Sequence, residues 1–319
     1  MSQQIIVQAP SPEKLLYLFV EDCRIRGLTN ETIRRYKSIT QQFLKFIEQG
    51  NVRPVDVDKH VLQDYIRVRR SNGTDQKTIE NEVSGISSFY RFLAFEDYVG
   101  KNPVPEVRKR YLTPYKKEME GDVESPRKLI SVEQMSMLIN SIVDSRDKAI
   151  LTLLAKTGLR RGELISLNIT DIDWTEQSMT LQRKQFKKRS GRTVFFDDEA
   201  ARLLKRWLTQ RENLHPETPA LFVGERGGRL KRHGIYQLTV KYATAVGLHN
   251  PESTRPEDHL TPHCFRHFFT THLRRAGMDR EFIKILRGDR RREAIDIYDR
   301  VDRQELRRAY LAFIPQLGV

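Results

Sequence analysis

The sequence predicts a mainly α-helical protein of two domains, the second carrying a small β-hairpin. Four amphipathic stretches at helical spacing fill the first hundred residues, and a proline-interrupted basic segment follows them. The rest alternates helical runs with one isolated β signal. At 319 residues the chain is too long for one average domain and comfortable for two.

Each element has its own justification. Leu15, Leu16, Phe19, Val20 and Cys23 recur at helical spacing, and Gly27 punctuates the end. After Thr29-Asn30, the residues Ile33, Tyr36, Phe43, Leu44 and Ile47 form one stripe, closed by Gly50. Val61, Leu62, Tyr65 and Ile66 mark a third helix. A fourth is marked by Ile79, Val83, Ile86, Phe89, Tyr90 and Leu93. Four such helices can share a core, so residues 10–100 are expected to be one helical domain. Between 101 and 126, Pro103, Pro105, Pro114 and Pro126 speak against a continuous helix, and Arg108-Lys109-Arg110 is strongly basic. An extended basic linker is expected there.

The second domain, residues 127–319, opens on the capping-box pattern Ser131-Val132-Glu133-Gln134 ahead of Met135, Leu138, Ile139 and Ile142. Helical runs follow at 149–156, 162–167, 199–210, 235–246, 265–276, 280–286 and 303–313. Met179-Thr180-Leu181 and Thr193-Val194-Phe195-Phe196 read as paired strands. From Arg183 to Arg192 this hairpin holds Arg183, Lys184, Lys187, Lys188, Arg189 and Arg192 and no acid.

Charge narrows the partner. Lys and Arg number 56 against 42 acids, a net +14. Residues 1–100 contribute 14 basic and 13 acidic groups, residues 101–128 contribute 8 and 5, and the remainder 34 and 24. The excess therefore lies in the second half, and a polyanion is the natural ligand, since each neutralised phosphate releases counterions. No segment is long and apolar enough to cross a bilayer, and Met1–Pro10 does not read as a signal peptide. Cys23 and Cys264 make no disulfide framework. A cytoplasmic protein is expected.

Three segments carry chemistry. They are Thr157-Gly158-Leu159-Arg160-Arg161-Gly162-Glu163-Leu164, His263-Cys264-Phe265-Arg266-His267, and Leu286-Arg287-Gly288-Asp289 with Tyr298 nine residues on. In this order, with Tyr298 standing 32 residues after Arg266, they resemble the tyrosine recombinase (phage integrase) family over nearly the whole chain. The resemblance implies a helical, SAM-like core-binding domain followed by an α+β catalytic domain. It also implies site-specific cutting and rejoining of duplex DNA, in a Xer-like two-domain architecture.

The chemistry fits those residue types. Breaking a phosphodiester without metal needs cationic donors on the non-bridging oxygens, and a guanidinium is always charged and planar. Arg160 and Arg266 take these roles. Arg161 should point away from Arg160 and contact solvent or the DNA backbone. His263, one turn before Arg266, can exchange a proton with the nucleophile or simply donate to phosphate. His267 is read as bracing the site. In the family a hairpin lysine protonates the leaving 5′-oxygen. Lys184 matches that place by its distance from Arg160, with Lys187 and Lys188 also candidates. Tyr298 would attack to give a 3′-phosphotyrosyl bond, which conserves the bond energy, so neither ATP nor a cofactor is needed. His263, Cys264 and His267 lack a second cysteine pair to complete a zinc site.

One residue departs from the family. Where histidine or tryptophan usually donates to the scissile phosphate stands Asp289, whose ionised carboxylate only accepts. It is read as orienting Arg287, Arg290 or Arg266. A protonated Asp289 or a decayed site are the alternatives, and archaeal or archaeal-virus integrases are where such a variant is expected. Strand exchange implies a homotetramer on DNA carrying specific sites. The run Leu306, Tyr310, Leu311 and Phe313 would dock on a neighbouring protomer or pack at home. A type IB topoisomerase-like nicking enzyme and a DNA-binding relic are the rival functions.

Overall fold

Each of the first four helices begins where a side-chain oxygen meets a free backbone N–H. Ser11 caps α1 (Pro12–Ile25), Thr29 caps α2 (Asn30–Gln49), Asp58 caps α3 (Lys59–Ser71) and Asp75 caps α4 (Gln76–Phe95). The computed structural model describes residues 10–113, 129–182, 191–289 and 301–319. The chain divides into two units, Met1–Asp122 and Val123–Val319. In the first, α4 lends its apolar side to a core that includes Phe19, Phe43, Tyr65, Ile86, Phe89 and Tyr90. Tyr65 and Arg69 both donate to the buried carboxylate of Glu82, at 3.1 and 2.6–2.9 Å, so the polar group inside this core is satisfied.

The stretch expected to be extended is helical at its start. Residues Val104–Tyr111 form α5, whose Val104 and Val107 are buried in the first unit's core. The prolines permit it, because Pro103 sits at the cap and Pro105 in the first turn, where no intrahelical N–H is required. The core is thus five helices rather than four. Pro114 and Pro126 lie outside the described residues.

In the second unit, α6 (Val132–Asn140) carries the expected capping box at Ser131 and Gln134. Helix α7 (Ser145–Thr157) runs through the centre, buried continuously from Ala149 to Thr157. Around it lie α8 (Arg161–Leu164), α9 (Asp198–Glu212), α10 (Arg232–Ala245) and α11 (Pro262–Arg275). The two expected strands are β2 (Ser178–Leu181) and β3 (Arg192–Phe195), antiparallel with Met179 facing Val194 and Leu181 facing Arg192. A further strand, β1 (Ile172–Asp173), pairs with β2 and completes the order β1-β2-β3. Two residues are too short a run to show period-two alternation, so it had no sequence signal.

A second small core lies under α12 (Arg280–Arg287) and α13 (Arg303–Phe313). There Leu306 and Tyr310 pack with Phe195, Phe269, Leu273, Ile283 and Leu286. The amphipathic run near the C-terminus therefore packs on its own unit. The residues after it are held by a buried ionic cluster. Lys156 Nζ lies 2.5 Å from both Asp197 and Glu199 and donates to the Pro315 carbonyl at 2.6 Å. Glu199 in turn accepts from the backbone N–H groups of Leu317, Gly318 and Val319 at 2.9, 2.6 and 3.3 Å. Helical periodicity could not reveal this cluster, because its members come from α7, α9 and the last residues.

Candidate active site

Backbone geometry places the two arginines. Gly158 ends α7 in the left-handed conformation (φ +59°), and a Cβ there would stand 2.5 Å from the Phe269 ring, so only glycine fits. That turn sends Arg160 to the start of α8 and turns the Gly158 carbonyl toward α11. Arg266 Nη1 donates to this carbonyl at 2.8 Å. Helix α11 starts at Thr261-Pro262, with proline in its first turn as expected. His263 and Arg266 therefore follow one turn apart. Gly288 ends α12, again left-handed at φ +63°, and the Asp289 N–H returns to the Lys284 carbonyl at 3.0 Å.

These three turns converge. Arg160 Nη1 and Arg266 Nη2 both donate to the Arg287 carbonyl, at 3.3 and 2.8 Å. Asp289 Oδ1 lies 3.1 Å from Arg266 Nη2 and 3.6 Å from Arg160 Nη2, while its Oδ2 lies 3.2 Å from Arg287 Nε. Arginines up to 127 positions apart in sequence thus share one carboxylate. Arg266 is buried, 4 % exposed, whereas Arg160 keeps 28 % of its side chain open. Burial, and then the charges of Arg160 and Arg287, pull the Arg266 pKa down to about 9.

Two further residues complete the cluster: Glu163, and Arg192, which was expected with the other hairpin basic residues to contact phosphate and instead pairs within the protein. Glu163 receives the Arg160 N–H at 2.8 Å and its guanidinium at 3.1 Å, and a two-pronged contact from Arg192 at 3.0 and 3.1 Å. Burial alone would raise the Glu163 pKa. The Arg192 hydrogen bonds and charge, with help from Arg160, overcome it and hold the group at about 2. Arg192 also donates to the Leu286 carbonyl at 2.9 Å, and a Cβ on Gly288 would strike its guanidinium at 2.6 Å. Glycine at 288 thus keeps room for Arg192. Position 192 was legible only as the last basic residue of the hairpin. Its partner 29 residues earlier was not.

A cleft of about 560 Å³ opens over the cluster, lined by Arg160, Glu163, Arg192, His263 and Arg266, with Arg161, Arg232 and Tyr236 also on its wall. Arg161 is exposed and lines this cleft, where it can meet solvent or a DNA backbone as expected. His263 is exposed, and its ring meets that of His267 edge-on at 4.8 Å. Cys264 accepts from the Thr261 N–H at 3.3 Å and closes the helix start. Among the described residues no group of three or more His, Cys, Asp or Glu could hold a metal ion. No described helix is long and apolar enough to cross a membrane. Lys184, Lys187, Lys188, Arg290 and Tyr298 lie outside the described residues. The site as described therefore comprises Arg160, His263, Arg266 and Asp289 of the expected set.

Comparison with known proteins identifies the family. Residues 128–305 match the phage integrase family, and residues 15–98 match the phage integrase N-terminal SAM-like domain. The chain belongs to the phage integrase family, the tyrosine-type DNA recombinases. It is Xer-like. Tyrosine recombinase XerD of Staphylococcus epidermidis is 27 % identical over 299 residues, covering 91 % of this chain and 95 % of XerD. XerC of Thermodesulfovibrio yellowstonii is 28 % identical over 300 residues, covering 89 % and 90 %. Two solved structures share the fold. The Tn1549 transposon integrase in complex with transposon right-end DNA has a TM-score of 0.65 at 18 % identity, covering 92 % of this chain and 97 % of that one. The XerH recombinase bound to a palindromic difH substrate has 0.67 at 18 %, covering 96 % and 82 %.

Proposed function

We propose that this chain cuts and rejoins duplex DNA at specific sites through a 3′-phosphotyrosyl bond on Tyr298. The observation that carries the reading is the convergence of Arg160 and Arg266 on one carbonyl and one carboxylate beneath a cationic cleft. Such a pair grips the non-bridging oxygens as negative charge grows in the transition state. The Tyr298 oxygen bonds to phosphorus while the bond to the 5′-oxygen breaks. His263 takes the phenolic proton and Lys184 gives one to the leaving 5′-oxygen, which departs as a hydroxyl. Reversal by a 5′-hydroxyl reseals the strand, so no nucleotide is consumed.

In this reading the domains expected at residues 10–100 and 127–319 both bind DNA, the first extended by α5. Four protomers assemble on two sites in the cytoplasm. The XerD and XerC relatives carry tyrosine recombinase names, and the difH and Tn1549 structures hold DNA, which supports the substrate class. Tyr298→Phe loses one hydroxyl, so it should retain DNA binding and form no covalent adduct on a nicked suicide duplex. Adducts that survive, mapped by mass spectrometry to another tyrosine, would refute the assignment. Asp289 among the arginines favours one second reading, a DNA-binding relic. A parent protein that binds DNA and never forms an adduct would establish that instead.

A further inference from the structure

Four guanidiniums make up the inner cluster, and their donors are not equally engaged. Arg192 donates through Nε and both terminal nitrogens to Leu286 and Glu163. Arg266 uses its terminal nitrogens on Gly158, Arg287 and Asp289. Arg160 serves Glu163 and the Arg287 carbonyl. The Arg287 side chain differs. Its Nε is buried and makes no hydrogen bond, although Asp289 Oδ2 stands 3.2 Å away, and about a third of the side chain remains exposed. Nε itself is enclosed beside Asp289, but no hydrogen bond to a described residue engages the terminal nitrogens of this partly exposed side chain, so it is these that Arg287 can offer to a ligand.

Charge leads to the same residue. Arg160, Arg192, Arg266 and Arg287 against Glu163 and Asp289 leave a net +2. A phosphodiester carries one negative charge, and the five-coordinate transition state between two oxygens carries close to two. Arg161 and Arg232 on the cleft wall add to this charge. Within the inner cluster Arg287 adds one positive charge, and charge held there helps most where negative charge grows, in the transition state. Asp289 explains how a third cation is held there at all. Its two oxygens divide the guanidiniums, Arg266 and Arg160 on Oδ1 and Arg287 on Oδ2, on a backbone pinned by the Gly288 turn.

The geometry points to Arg287 as a third guanidinium on the scissile phosphate, replacing the neutral donor expected at position 289, with Asp289 as the residue that positions it. This rests on the active-site reading above. The Arg-Gly-Asp segment then works as a unit: the aspartate that would repel phosphate is offset by the arginine two residues before it. Asp289 is a positioning residue, and Arg287 touches substrate.

The test uses covalent-adduct rates on a nicked duplex at fixed salt, with either an ordinary or a methylphosphonate scissile linkage. The methylphosphonate lacks one negative charge and so has less need of a cation. Arg287→Ala should slow adduct formation by roughly 10²-fold on phosphate and by under about tenfold on methylphosphonate, while DNA affinity falls by no more than the loss of about one counterion gives. Arg287→Lys should recover part of the loss. Asp289→Ala should lose roughly 10–100-fold, Asp289→His should not exceed the parent, and the double alanine variant should be no slower than Arg287→Ala alone. If Arg287→Ala unfolds, Arg287→Gln, which keeps part of the stem and an uncharged amide donor, takes its place.

An Arg287 variant within about 3-fold of the parent, or one equally slow on both linkages, overturns the inference, since a merely structural role would not depend on phosphate charge. Tyr298→Phe run alongside separates the two levels. Adducts persisting in that variant would sink the active-site reading and Arg287 with it. Adducts lost there but unchanged in Arg287→Ala would sink this inference alone.

Discussion

Replacing Glu163 by glutamine removes one charge while keeping shape and one acceptor oxygen, and it should weaken both the fold and the site. The carboxylate lies between two arginines, with Arg192 at 3.0 and 3.1 Å and Arg160 at 3.1 Å. Its pKa falls from the ordinary 4.5 to about 2. At about 1.4 kcal/mol for each tenfold change in proton affinity, that fall is roughly 3 kcal/mol. The side chain is only 19 % exposed, so solvent screening removes little of it. The sign follows from linkage. A carboxylate with a depressed folded-state pKa adds stability that is fully present above about 4.5 and lost as pH falls through about 2. The parent should therefore lose stability steeply between those values, and Glu163→Gln should begin lower and show a shallower acid limb. For a unit of this size the neutral-pH midpoint should drop by roughly 6–12 °C. Thermal unfolding of both proteins from pH 2 to pH 7 checks this, with adduct rates measured well below the lower midpoint. Equal midpoints at pH 7, or parallel acid limbs, would refute the view that Glu163 anchors Arg192 and Arg160.

The hairpin lysine can be separated from its basic neighbours by leaving-group chemistry. Lys184→Ala should slow cleavage of ordinary DNA and recover on a 5′-bridging phosphorothiolate, whose sulfur departs without protonation; rescue of Lys187→Ala instead would move the role. A variant lacking a mere phosphate contact should bind more weakly, with a salt dependence lower by about one counterion. Lys156→Met should leave Asp197 and Glu199 buried and unpaired, at a cost of roughly 3–5 kcal/mol. It should also raise hydrogen exchange at Leu317, Gly318 and Val319, whose N–H groups Glu199 holds. Unchanged exchange there would show that the last residues do not depend on the ionic cluster.

Local pattern was enough for the helices. Ser11, Thr29, Asp58 and Asp75 cap where their side chains allow, and the stripes from Leu15 to Leu93 repeat at the helical period, because both effects act within a few residues. The motif residues Arg160, His263, Arg266 and Asp289 were legible too, since their spacing is itself a linear property. Two kinds of feature were not. Helix α5 forms in a proline-rich stretch because burial of Val104 and Val107 favours it and the prolines happen to fall where a helix tolerates them. The pairings Glu163–Arg192 and Lys156–Glu199 join segments far apart in sequence; that Asp289 faces arginines was expected from its place in the motif, but only packing shows Arg266, Arg287 and Arg160 sharing it. A charged residue carries no mark of its partner in a linear pattern. Coulomb attraction acts through space, and only the packed chain brings α8, β3, α11 and the end of α12 close enough for four arginines and two carboxylates to set each other's positions.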